Sequence, residues 1–75
     1  MKVIAEEINY KKIVKTFTIK VGDNAINVDK WVVNDNAFSD YEADWELWTD
    51  SKFVVDRLDQ ETQDKLVDFI NDLSI

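Results

Sequence analysis

The sequence predicts an α+β domain, a four-stranded antiparallel β-meander followed by one short and one longer C-terminal helix packed on one face of the sheet. Three observations carry this. Apolar and polar residues alternate through much of the first two thirds of the chain. After Asp50 the apolar spacing changes to three and four. Strands and helices do not interleave, and segregation of that kind places the helices over the apolar face of an antiparallel sheet.

The elements follow in order. Lys2 to Ile8 is a β-prone run (strand 2–8), and Asn9-Tyr10-Lys11-Lys12 is short and polar enough to turn a hairpin. In strand 13–21, Ile13, Phe17, Ile19 and Val21 point one way, and Val14, Thr16, Thr18 and Lys20 point the other. The single Gly, in Gly22-Asp23-Asn24, marks a tight turn. Residues 25–33 are β-branched and aromatic enough for a third strand, although Trp31-Val32-Val33 blurs its phase. Asn34 to Asp40 has loop composition. Strand 41–48 has the clearest pattern, with Tyr41, Ala43, Trp45 and Leu47 on one side and Glu42, Asp44, Glu46 and Trp48 on the other.

Two helices, 51–58 and 60–73, are predicted instead of one. A single straight helix from 52 to 74 would place Phe53 opposite the stripe of Leu66, Phe69, Ile70 and Leu73 and expose it. Asp50 or Ser51 is expected to cap the first helix, and the Asp59-Gln60-Glu61 segment the second.

The 75 residues fit one domain, 1–75, and a chain of that size buries only about 60 to 65% of the surface it exposes when unfolded. An apolar fraction of 45% with nine aromatic residues is enough for a folded core and argues against a disordered acidic tail. No apolar run approaches the roughly 18 to 20 residues of a membrane span, and the first residues lack the long apolar stretch of a signal peptide. The expectation is a cytoplasmic protein with no membrane association. The bias toward Lys over Arg and toward Asn, with no Pro, fits an AT-rich genome such as many phages carry, which would place it in a host cytoplasm.

The chemistry available is narrow. With neither His nor Cys, the chain lacks the commonest general base, the usual nucleophile–base pairs and thiolate zinc ligation. One Gly cannot build a phosphate-binding loop. No catalytic residue, cofactor or metal site is therefore expected. Asp23 with Asp29, and Asp35 with Asp40 and Glu42, are acidic but lack the spacing of a calcium loop.

What the sequence does offer is negative charge. Of a net −7, residues 1–34 hold six lysines against four acids, whereas residues 35–75 hold three basic residues against twelve acids. Such a field repels nucleic acid and anionic membranes and attracts basic surfaces. The acids form two rows. Glu42, Asp44 and Glu46 share one side of the fourth strand at a pitch of about 6.6 Å. Glu61, Asp64, Asp68 and Asp72 lie opposite the apolar stripe of the last helix, with about 6 Å between i and i+4 neighbours. A solvated, solubilising surface is the plain explanation for either row. Against it stands the segregation of charge, since ordinary soluble surfaces mix both signs.

Regular carboxylates can stand in for backbone phosphates in a Lys/Arg groove. The sequence is accordingly read as a small acidic binding or inhibitor protein, a nucleic-acid mimic that blocks a basic nucleic-acid-binding partner such as a nuclease, a defence effector or a polymerase. The expected contacts are Glu42, Asp44, Glu46, Glu61, Asp64, Asp68 and Asp72, with Trp48 as an apolar anchor. In composition the chain resembles small acidic phage-encoded inhibitors and bacterial nuclease immunity proteins, a likeness of class. The competing reading is a structural or adaptor module, or a homodimer, that associates through apolar surface.

Overall fold

In a computed structural model the described residues form six elements: β1 (Lys2–Asn9), β2 (Val14–Val21), β3 (Asn24–Asn34), β4 (Tyr41–Leu47), α1 (Thr49–Asp56) and α2 (Gln60–Asp72). The structure describes residues 1–9, 14–34 and 41–74, without the side chains of 32–34 and 41–43. The predicted turn at 9–12, the placement of Ile13, the loop at 34–40 and the acidic group of Asp35, Asp40 and Glu42 therefore lie wholly or partly outside the described residues.

The fold is the predicted α+β meander, a sheet in the order β1-β2-β3-β4 with every neighbouring pair antiparallel. The turn after β2 has two residues, with Gly22 at φ 60°, a left-handed conformation that glycine adopts without steric cost. Pairing Val21 with Asn24 then fixes the whole β2–β3 register, bringing Phe17 beside Val28 and Ile19 beside Ile26. In β1 the register slips between Val3 and Ala5, a bulge that breaks the regular alternation of this edge strand.

Phe17, Ile19, Val21, Ile26 and Val28 from the sheet are buried with Leu66 and Ile70 from α2, and Val54, Val55, Leu58, Phe69 and Leu73 pack around them. Both helices thus sit on one face. The stripe expected in the last helix supplies its inner side. The chain breaks between α1 and α2 as anticipated, but the break does not cover Phe53, which stays 65% exposed, because α1 turns Val54 and Val55 inward instead.

The start of α1 also differs from expectation. The helix begins at Thr49 with Trp48 as its N-cap and no side-chain cap bond, so Asp50 and Ser51 fall inside the first turn. Ser51 has a different task. Its buried hydroxyl accepts the Asn27 N–H at 2.7 Å, while the Trp48 N–H donates to the Asn27 carbonyl at 3.0 Å. Where β4 ends, α1 thereby satisfies the edge of β3. At α2 the expected cap is present: Asp59 accepts from the Thr62 N–H at 3.2 Å and from the Thr62 hydroxyl.

Lys30 reverses the usual location of its residue type. It occupies the inward phase of β3 after Ile26 and Val28, is 1% exposed, and donates to the carbonyls of Ile70, Asn71 (3.0 Å) and Leu73 (2.7 Å). Helix ends leave carbonyls without intrahelical partners, and α2 has no basic residue in its own last turn. A strand lysine supplies the cap. Burial pushes the Lys30 pKa below its ordinary 10.5, while the nearby Asp72 carboxylate pulls it upward.

Lys30→Met should keep most of the stem packing but leave the carbonyls unmet, costing about 2–3 kcal/mol in urea denaturation. Because the native pKa lies below the unfolded one, the unfolded chain binds more protons in the interval just under pH 10.5. Stability from this group rises with pH there, and the gap between wild type and Lys30→Met should widen. Asp59 behaves oppositely. Hydrogen bonds from the Thr62 hydroxyl and then its N–H hold the Asp59 pKa below its ordinary 3.8, so its contribution is present above that value and is lost as pH falls through the native one. Thermal unfolding from about pH 5 to about pH 2 should show a shallower acid limb for Asp59→Asn than for wild type.

Candidate binding surfaces

The sheet register decides which acids share a surface. Glu46 lies opposite Asp29 and Asp44 opposite Trp31, while Leu47 lies opposite buried Val28. Asp44 and Glu46 therefore project from the face of the sheet that the helices leave open, together with Thr16, Thr18, Asn27, Asp29 and Trp31. The backbone of Glu42 has the same phase, and its side chain lies outside the described residues. Glu61, Asp64, Asp68 and Asp72 are exposed on the side of α2 away from its buried Leu66 and Ile70. The two rows consequently face opposite directions, separated by the sheet and helix layers. A flat partner surface can meet one row only.

Their chemical states differ. On α2, Glu61 pairs with Lys65 at 3.3 Å and Asp64 accepts from the Gln60 amide at 2.8 Å, both across one helical turn. On the sheet, Glu46 stands 3.6 Å from Lys52, an exposed pair of small energetic weight, and Asp44 accepts its neighbour's N–H at Trp45.

The open sheet face carries a hydrogen-bonded array absent from the sequence-level expectation. The Thr16 hydroxyl donates to Asp29 Oδ1 at 2.7 Å, and the Trp48 indole N–H reaches the same oxygen at 2.9 Å. Beside them the Thr18 hydroxyl donates to Asn27 Oδ1 at 2.8 Å. Trp48 is thus pinned by its polar edge while 47% of it stays in solvent. It forms a shared wall between two hollows. One, of about 430 Å³, is lined by Asp29, Glu46, Leu47, Trp48, Thr49 and Asp50. The other, of about 320 Å³, runs along Ala5, Glu7, Thr16, Thr18 and Asn27. Trp45 has the opposite role, partly buried against the core with its indole N–H on Asn71 at 2.8 Å.

Asp29, Asp50 and Thr16 belong to this surface although none of them was among the contacts expected from the sequence. Counting outward from the two-residue turn at Gly22 pairs Thr16 with Asp29 and Thr18 with Asn27, so the signal was available for all four of these residues. The approach of Asp50 depends on where α1 begins.

Among the described residues no group of three or more acidic side chains is arranged to hold a metal ion, and no helix is long and apolar enough to cross a membrane. No protein-family model, curated protein or solved structure matches the chain.

Replacing Asp29 by Ala removes the acceptor of two hydrogen bonds. It should cost about 1–2 kcal/mol and speed solvent exchange of the Trp48 indole proton, measurable by NMR, while the Trp45 indole proton keeps its protection.

Proposed function

We propose that the protein is a small acidic binding or inhibitor protein that engages a basic, nucleic-acid-binding partner in the cytoplasm and occupies the surface its nucleic acid would use. The observation that supports this most is the outward display of the carboxylates. Asp44, Glu46, Glu61, Asp64, Asp68 and Asp72 are all exposed. A small domain with a net charge of −7 and acids in regular rows steers toward a Lys/Arg groove and repels nucleic acid itself. Phosphate contacts dominate the affinity of such grooves, so carboxylates placed there compete for the same positive charges.

A second reading, association through apolar surface as an adaptor or homodimer, draws support from exposed Phe53 and from Ile4 and Ile8 on edge strand β1. Salt separates the two. With the tagged chain as bait, a partner held by charge is captured at about 50 mM salt and released at about 0.5 M, where the Debye length shrinks to a few Å. Neutralising one row with Asp44→Asn/Glu46→Gln, or the other with Asp64→Asn/Asp68→Asn/Asp72→Asn, should slow association about tenfold in at least one case. Capture that survives both high salt and both variants belongs to the apolar reading.

A further inference from the structure

We infer that the partner is met by the open face of the sheet and not by the outer face of α2, and that an arginine side chain of the partner lies on the Trp48 indole between Asp29, Glu46 and Asp50. This rests on the charge-based reading above and gives it a location. The two acidic rows point in opposite directions, so one of them must lead. The α2 row is convex, Lys65 offsets the charge of Glu61, and Asp64 already accepts from the Gln60 amide.

The sheet face offers a different chemistry. Its described acids are Glu7, Asp29, Asp44 and Glu46, with Asp50 at the margin. Its described lysines, Lys2 and Lys20, face each other at the end near Gly22, and Lys52 reaches it through Glu46. An exposed segment that complements this face must therefore be basic.

Trp48 selects among basic side chains. Its edge is anchored on Asp29 and the ring is half in solvent beside a hollow whose rim carries three carboxylates. A planar guanidinium stacks on an indole and donates in its own plane to carboxylates, whereas an ammonium is a compact charge that holds its water more tightly. Because Trp48 is already fixed, little side-chain freedom is lost on binding.

The test titrates the ¹⁵N-labelled chain with an oligo-arginine peptide at about 10 mM salt, where the Debye length is about 30 Å. The Trp48 indole N–H and the amides of Asp29 and Glu46 should shift together, and an oligo-lysine peptide of equal length should bind more weakly. Trp48→Ala should bind the arginine peptide about two- to fivefold more weakly, and Trp48→Phe should fall between it and wild type. An unchanged Trp45 indole resonance verifies that each variant is folded. The indole shift should persist in Asp64→Asn/Asp68→Asn/Asp72→Asn. Shifts confined to the outer side of α2, or wild-type affinity in Trp48→Ala, overturn the location and leave the charge reading standing. A chain that binds neither peptide at low salt overturns both.

Discussion

One ammonium group ties the last helix to the middle of the sheet. Lys30 reaches from β3 to three carbonyls at the end of α2, and the apolar side of that helix supplies Leu66 and Ile70 to the core. The dependence is mutual, since a buried lysine is tolerable only with its donors engaged, and the helix end is tolerable in the interior only with its carbonyls met. A small domain with a shallow core has few other means of fixing the axial position of a terminal helix. Apolar contacts alone would allow it to slide by part of a turn. Three directed bonds specify one position.

That arrangement commits the two faces of the sheet to different uses. The helices take the inner face, and the short connection after β4 gives Trp48 to the outer one. Ser51 and the Trp48 backbone complete the hydrogen bonding of β3 at Asn27, so the segment that ends the sheet also places the indole. The acidic rows are separated by the same division.

Most of the architecture was legible because alternation and helical spacing report directly on which side of an element is buried. β2 and β4 carry that signal cleanly in Phe17-Thr18-Ile19-Lys20-Val21 and Tyr41 to Leu47, and the four strands and two helices lie within about two residues of their predicted ends. The phase of β3 was blurred by Trp31-Val32-Val33, and its inward positions, Ile26, Val28 and Lys30, include a lysine whose core placement makes sense only with its partners forty residues away. The start of α1 was misplaced because Ser51 has cap-like chemistry but spends its hydroxyl on the sheet edge. Phe53 was treated as a residue that must be buried, and the chain leaves it in water. The two carboxylate rows were visible from spacing alone, but their opposed directions follow from layer order, which spacing does not contain.

The bulge in β1 has a consequence for how the molecule behaves in a crowded solution. An edge strand offers unpaired donors and acceptors to any passing strand, and fibres grow when that template is straight and uniform. Here the register slips after Val3, and Glu6 and Glu7 follow at once. An incoming copy therefore finds no continuous ladder and brings like charge to a like-charged strand. An edge interrupted and charged in this way is a poor template for strand-on-strand pairing between copies of the chain.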